Sequence, residues 1–248
     1  MQLAVIDEQH RFGVMQREAI IAKGRKAAKN ETFIFEPHLL MMSATPIPQT
    51  LALAFYGDLD VSVIRTQPEG RKEITTYLVK EGNEKNAYDF VRKELQAGRQ
   101  AYFVYPAIGE PEDTDDFMRT GDGKENSHGL KSAASAFERL SKNIFPEYKC
   151  ALLHGKIGEE EQDSIFKGFQ SGEIKILAAT TVIEVGVDVP NATCIVIEGA
   201  DHFGLSQLHQ LRGRVGRSEI QSFCFLIYSE KISETGIERM KALRTSSD

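Results

Sequence analysis

Short apolar runs alternate with segments of helical periodicity from residue 74 to the end of the 248-residue chain. Apolar runs of strand length that are separated by helix-length segments are typical of parallel strands joined by crossover helices. The predicted strands are 74–79, 101–105, 150–153, 174–178, 193–197 and 222–227. The predicted helices are 85–97, 130–144, 159–169, one that holds Gln210 and a last one from Ile232. The pattern predicts an α/β fold, a parallel sheet with helices on both faces.

A boundary between two domains is predicted near residue 66. Residues 66–72 read T-Q-P-E-G-R-K and have the proline, glycine and charge of a linker. The expected domains are therefore 1–66 and 67–248. Residues 109–129 break the alternation of the second domain, because they are rich in Asp, Glu, Gly and Ser with few apolar anchors. They are expected to form a mobile surface insertion.

Composition excludes several classes of protein. No run approaches the roughly 18 apolar residues of a membrane span, and no basic-then-apolar leader opens the chain, so a cytoplasmic protein without membrane contact is expected. Cys150, Cys194 and Cys224 lie in apolar runs without C-x-x-C spacing and are expected to be buried thiols rather than zinc ligands. The formal charge of -6 leaves room for a local basic groove that binds nucleic acid.

Two carboxylates follow the first apolar run of the chain. Residues 3–6 are apolar and stop at D-E-Q-H, which predicts a buried parallel strand that delivers Asp7 and Glu8 to its carboxyl end. One acid there can hold Mg²⁺ through water while its neighbour polarises an attacking water. A second apolar run ends in S-A-T-P, where Ser43 and Thr45 either cap the next helix or bond the carboxylates of the neighbouring strand. Both interpretations stay open.

The segment that follows the predicted strand 174–178 offers several groups to a phosphate. Thr180 and Thr181 supply hydroxyls and backbone N–H groups, and Gly186 leaves room for a ligand. Asp188 either accepts a hydrogen bond from a ribose hydroxyl or caps the next helix. We expect this segment at the same sheet edge as the other candidate groups, because it directly follows a parallel strand.

An arginine-rich stretch reads Q-L-H-Q-L-R-G-R-V-G-R over residues 207–217. If it is helical, Gln210, Arg214 and Arg217 share one face, which we expect to point to the edge that bears Thr180 and Asp188. Glycines inside a helix cost about 0.5 to 1 kcal/mol each, so the two in this stretch indicate close approach of a phosphate chain. The alternative is a surface helix with salt-bridged arginines.

These stretches together resemble motifs II, III, V and VI of superfamily-2 helicases, in the same order. The matching segments are D-E-Q-H at Asp7, S-A-T at Ser43, T-T-V-I-E-V-G-V-D-V-P at Thr180 and Q-L-R-G-R-V-G-R at Gln210. Longer stretches, among them Q-H-R-F-G-V-M-Q-R and H-F-G-L-S-Q-L-H-Q-L-R-G-R-V-G-R, resemble the RecG family of bacterial ATP-dependent DNA helicases. Transcription-repair coupling translocases share much of this sequence, but the segment Y-G-D-L-D at residues 56–60 favours the RecG family.

The resemblance implies two RecA-like lobes with ATP between them and branched or forked DNA across both. Residues 1–66 would then be the end of the first lobe and residues 67–248 the second. In the first lobe, Asp7 would bind Mg²⁺ through water, Glu8 would orient the attacking water, and Ser43 and Thr45 would couple nucleotide state to lobe closure. The implied outcome is branch migration and fork reversal in recombination and repair.

The resemblance also implies roles for residues of the second lobe. Arg214 and Arg217 would reach the γ-phosphate as arginine fingers, with Gln210 beside them. Thr180 and Thr181 would grip the DNA backbone, which gives affinity without sequence readout.

The chain departs from the family at one essential point. No G-x-x-x-x-G-K-[ST] motif occurs in it, and the family's wedge domain is absent as well. We therefore expect a fragment that does not bind or hydrolyse ATP by itself, and whose residues 1–66 expose apolar strands that invite non-native self-association. The alternatives are a transcription-repair coupling translocase fragment, a non-catalytic nucleic-acid-binding module and an RNA helicase.

Overall fold

The chain divides into two compact units, residues 1–66 and 67–248. The structure, a computed structural model, describes residues 3–7, 13, 15–16, 19–20, 22–23, 38–43, 60–64, 66, 70, 72–106, 126–180, 189–230 and 232–245. Among the described helices, none has both the length and the apolar character needed to cross a bilayer.

The first unit contains a two-stranded parallel sheet. Strand β1, Leu3–Ile6, pairs with β2, His38–Met41, so the parallel pairing expected of the first apolar run is confirmed. Ala4 and Ile6 are buried, whereas Leu3 and Val5 are 58% and 54% exposed. Strand β1 is thus buried on one face only, which corrects the prediction of a buried strand. Alternate side chains of a strand point to opposite faces, and only one face of this pair is covered.

The second unit is built on a six-stranded parallel sheet in the order β3-β8-β7-β4-β6-β5. Its strands are β3 Thr75–Lys80, β4 Gln100–Val104, β5 Cys150–Leu153, β6 Ile176–Ala179, β7 Ala192–Ile197 and β8 Phe223–Tyr228. Each lies within two residues of a run predicted from the sequence. The predicted parallel α/β sheet is therefore confirmed.

Helices alternate with most of these strands along the chain, and the last one follows β8. They are α1 Glu84–Gln96, α2 Asn126–Arg139, α3 Glu159–Gln170, α4 Leu205–Arg212 and α5 Glu234–Thr245. Helix α2 continues into a π-helical turn, Leu140–Ile144. Because α2 begins at Asn126, the last residues of the predicted insertion 109–129 are helical, which corrects its boundary. The remainder of that insertion lies outside the described residues.

Two hydrophobic cores cover the two faces of the sheet. On one face, Val91 of α1 and Leu140 of the π-helical turn pack with Phe103 of the central strand β4. On the other face, Phe169 of α3 and Met240 of α5 belong to a second core. Every residue of β4 is buried, as expected of a strand covered on both faces. Helices on both faces are therefore confirmed.

The three cysteines are free thiols. Cys194 and Cys224 are buried on the central strands β7 and β8, and burial raises the pKa of each thiol to about 12. Cys150 is only partly buried, which corrects the prediction for this residue, because it opens the edge strand β5. Burial still raises the pKa of its thiol to about 11, so none of the three is an activated thiolate at neutral pH.

We expect Thr76→Val to raise the free energy of unfolding by about 1 kcal/mol. Thr76 is 6% exposed, and its hydroxyl has no hydrogen-bond partner within the described part of the chain. A buried unsatisfied hydroxyl is costly, and valine keeps its shape. Urea unfolding of the 248-residue chain measures the effect. Thr193→Val is the matched control, because the buried Thr193 hydroxyl donates to Glu94 at 3.1 Å and its loss should lower stability. Destabilisation by Thr76→Val would contradict this prediction.

Candidate functional site

The arginine-rich stretch is helical only in its first part. Helix α4 ends at Arg212, and the N–H of Arg214 then donates to the carbonyl of Leu211 at 3.0 Å in a turn. Gly216 follows with φ 75°. The condition under which Gln210, Arg214 and Arg217 would share one helical face is therefore not met, because the helix ends at Arg212 and a turn follows it. We call residues 213–222, which follow α4, the arginine loop.

The two arginines of this loop differ in exposure. Arg217 is exposed and donates from Nε to the carbonyl of Gly213 at 3.2 Å. Arg214 is half-buried, as is Gln210 in the last turn of α4. The Arg217 guanidinium thus lies at the surface, where an anionic ligand can reach it. A guanidinium there can bind phosphate oxygens in a bidentate way.

The close approach at Gly216 is made by the chain itself. A Cβ atom at Gly216 would lie 2.7 Å from Cγ1 of Ile74, and its positive φ favours glycine. A Cβ atom at Gly213 would meet only ordinary contacts of 3.5 Å to backbone oxygens. The need for glycine at position 216 is therefore explained by packing within the chain, and not by the predicted approach of a phosphate chain.

A third arginine of the stretch is buried and was not singled out from the sequence. Arg212 is 6% exposed, and its Nη1 donates to the carbonyl of Leu243 at 2.6 Å. That carbonyl lies in the last turn of α5, where helix carbonyls lack partners within the helix. Arg212 thus ties α4 to α5. Helical spacing alone did not distinguish this inward-facing arginine from its two neighbours.

The carboxyl edge of the sheet carries Thr180, the first residue of the second group of candidates. Thr180 directly follows β6 and is buried, and its N–H donates to the carbonyl of Leu153 at 3.3 Å. Its neighbours Thr181, Gly186 and Asp188 lie outside the described residues. The structure therefore places only Thr180 of this group.

The arginine loop and Thr180 lie towards opposite ends of the strands. Helix α4 begins after the carboxyl end of β7, runs back, and is followed by the arginine loop, which leads into the amino end of β8. Thr180 follows the carboxyl end of β6. The backbone therefore does not bring the arginine loop and Thr180 to one edge of the sheet, contrary to the expectation from the sequence.

A half-buried acid at the carboxyl edge was also missed. Glu198 follows β7, and its carboxylate accepts a hydrogen bond from the Tyr88 hydroxyl at 2.7 Å and lies 3.8 Å from Arg139. Burial raises the pKa of Glu198, and it also raises the pKa of Tyr88 and Tyr105. The group ties α1 and α2 to the sheet. Its sequence signal was a carboxylate directly after an apolar run, the same signal that singled out Asp7.

The sheet of the first unit places two predicted residues side by side. Asp7 follows β1 and Ser43 lies just beyond β2, where the N–H of Met42 donates to the carbonyl of Ile6 at 2.8 Å. Asp7 and Ser43 are both exposed, while Glu8 and Thr45 lie outside the described residues. Within the described residues, no group of three or more His, Cys, Asp or Glu could hold a metal directly.

Comparisons with known proteins support a helicase relationship. Residues 126–219 match the family described as helicase conserved C-terminal domain. The chain is 49% identical to the ATP-dependent DNA helicase RecG of Treponema pallidum, over 100% of this chain and 34% of the relative. For RecG of Thermotoga maritima the identity is 46%, over 99% of this chain and 28% of the relative. The chain thus spans about a third of the length of these relatives.

Solved structures agree with the sequence comparisons. A structure of RecG bound to a three-way DNA junction matches with a TM-score of 0.72 and 42% identity, over 99% of this chain and 28% of that one. The helicase MrfA bound to DNA and AMPPNP matches with a TM-score of 0.63 over 96% of this chain and 32% of that one. Its identity of 17% shows likeness of fold alone. The resemblance indicated by the motifs is therefore confirmed.

Proposed function

Since the chain belongs to the RecG family of helicases along its whole length, we propose that it forms the motor portion of an ATP-dependent DNA helicase. The main observation in support of this proposal is the 49% identity to a RecG helicase over 100% of the chain. We propose branched or forked DNA as its substrate, because the solved RecG relative is bound to a three-way junction. Branch migration and fork reversal during recombination and repair, in the cytoplasm, are part of this proposal.

The two compact units fit the two lobes of such a motor. We assign residues 1–66 to the end of the first lobe and residues 67–248 to the second. The six-stranded parallel sheet of the second unit supports the second assignment. Asp7 and Ser43, at neighbouring strand ends, support the first, because motifs II and III would meet there.

We assign nucleotide contact to the arginine loop. Arg217 would bind the γ-phosphate and stabilise charge on the transferred phosphoryl group, and its exposure supports this role. Arg214 would assist it, with Gln210 beside them. In the segment after β6, Gly186 and Asp188 would contact the nucleotide.

Binding of magnesium and hydrolysis of ATP would need residues outside the second unit. Asp7 would hold Mg²⁺ through water, and Glu8 would orient the attacking water. When bound, the metal neutralises charge on the phosphates. The 248 residues include no P-loop motif, so the chain by itself is expected to show no ATP turnover.

DNA contact would use the carboxyl edge of the second sheet. The hydroxyls of Thr180 and Thr181 would bind backbone phosphates, since the N–H of Thr180 already donates to Leu153, and such contacts position DNA without reading its sequence. Since the arginine loop lies towards the other end of the strands, ATP and DNA would occupy different ends of the lobe. Ser43 and Thr45 would couple nucleotide state to lobe closure.

ATP turnover of a longer protein tests this function. Its gene would be read upstream of Met1, and the extended protein expressed and assayed with a three-way DNA junction, linear duplex DNA and RNA. We expect an upstream P-loop and the strongest stimulation by the junction. A stop codon directly upstream would favour a non-catalytic binding module. Preference for RNA would favour an RNA helicase, and preference for linear duplex would favour a transcription-repair coupling translocase.

We also propose that the 248-residue chain self-associates through the first unit. Leu3 and Val5 of β1, together with Leu40 of β2, are at least half exposed and form an apolar face. Apolar strands left uncovered tend to pair with other chains. Sedimentation velocity should show concentration-dependent association that Val5→Lys abolishes. A monomer at all concentrations would contradict this proposal.

A further inference from the structure

The arginine loop is fastened to the segment that leads into the second sheet. We call residues 72–75 the lead-in segment, because the chain passes from the boundary at Thr66 through it into β3. The lead-in segment and the arginine loop precede the neighbouring parallel strands β3 and β8, which begin in register with Thr75 opposite Phe223. Several contacts join them.

Ser222 makes the buried part of this connection. It is 1% exposed, its hydroxyl accepts a hydrogen bond from the N–H of Gly216 at 3.1 Å, and its carbonyl accepts one from the N–H of Thr75 at 3.0 Å. One residue thus holds the turn beside Arg217 and the first residue of β3 at the same time. Ile74 packs into the space that the missing Cβ of Gly216 leaves.

Gln221 makes the outer part of the connection. Its amide nitrogen donates to the carbonyl of Glu73 at 2.7 Å and to the hydroxyl of Thr75 at 3.1 Å. Both acceptors belong to the lead-in segment. Because the side chain lies near the surface, it can be replaced with little effect on the cores of the sheet.

The position of Arg217 depends on this fastening. Its Nε bonds to Gly213, which belongs to the same loop, so that contact cannot fix the loop relative to the sheet. The contacts of Gln221 and Ser222 fix it, together with Val215, which packs in the core of the sheet. Misplacement of a catalytic group by about 1 Å can cost about 10²-fold in rate.

We propose that Gln221 is a positioning residue that holds the arginine loop on the lead-in segment and so places Arg217 for catalysis. The inference rests on the proposed function, and it adds a residue outside the helicase motifs.

The test compares Gln221→Ala and Gln221→Glu in the extended protein, with Gln170→Ala as a matched control on an exposed helix end. Glutamate keeps the size of glutamine but cannot donate to the two acceptors. We expect both Gln221 variants to lower kcat for DNA-stimulated ATP turnover by about 10-fold or more, with the KM for ATP and the melting temperature nearly unchanged. Gln170→Ala should behave as the unchanged protein.

A second comparison separates positioning from general stability. In an Arg217→Ala background, Gln221→Ala should lower turnover no further, because the residue acts through Arg217. Additive losses, or a kcat that equals that of the unchanged protein, would overturn the inference while leaving the proposed function intact. A drop in melting temperature that accounts for the lost turnover would overturn it as well. Absence of turnover in the unchanged extended protein would reject the proposed function and this inference with it.

Discussion

Replacing Arg217 by alanine in the extended protein should lower DNA-stimulated ATP turnover by a factor of about 10³ to 10⁵. The guanidinium lies at the surface of the second unit, on a loop rather than on a helix face, and its charge is permanent. Such a group stabilises the negative charge that spreads over the transferred phosphoryl oxygens, so its loss should appear in kcat. Steady-state ATP turnover with a saturating three-way junction measures the effect.

Two further variants make this result specific. Arg217→Lys keeps the charge but loses the planar pair of donors, so its turnover should fall between that of the alanine variant and the unchanged protein. Arg244→Ala removes an exposed arginine from the last turn of α5 and should leave turnover unchanged. Binding of the junction should be similar in all three variants, because the proposed DNA contacts lie towards the other end of the strands. Turnover of Arg217→Ala within a few-fold of the unchanged protein would reject the assigned role.

The interior of the sheet could be predicted from the sequence because its strands there are buried on both faces. Residues 193–197 and 222–227 are nearly continuous apolar runs, and they became the central strands β7 and β8. An apolar run in the sequence is a weaker guide to burial where only one face of a strand is covered. Strand β1 was expected to be buried, but Leu3 and Val5 are exposed, since an apolar run does not show how many faces will be covered.

The end of α4 could not be predicted from helical spacing. The arginines continue the helical period beyond Arg212, but the backbone at Gly216 is left-handed. Ile74, more than a hundred residues away in the sequence, occupies the place that a side chain at this position would take. A contact between residues so far apart in the chain cannot be read from the sequence around either of them. The same limit applies to Glu198 and Tyr88, which meet only because β7 and α1 pack together.

Within the stretch 207–217, Arg212 is buried whereas Arg217 is exposed. The burial of Arg212 leads to a prediction about the stability of the chain. Arg212→Met should lower the free energy of unfolding of the 248-residue chain by about 1.5 to 3 kcal/mol. Methionine keeps the apolar stem and removes the donors, so the carbonyl of Leu243 loses the hydrogen bond from Nη1 at 2.6 Å. Removal of a buried charge relieves its desolvation, but the carbonyl is left without that charged partner in a buried place. We expect the loss of this hydrogen bond to outweigh the relief of desolvation.

Urea unfolding and amide hydrogen exchange together test this expectation for Arg212. Exchange should accelerate first in α5, since Arg212 bonds the last turn of that helix and holds it against α4. Arg244→Met changes the same residue type at an exposed position of α5 and should shift stability by less than about 0.5 kcal/mol. Equal stability of Arg212→Met and the unchanged chain would mean that the hydrogen bond to Leu243 only offsets the cost of burying the guanidinium. In that case α4 would be held by its apolar contacts, Leu208 and Leu211, and the buried arginine would be unnecessary for stability.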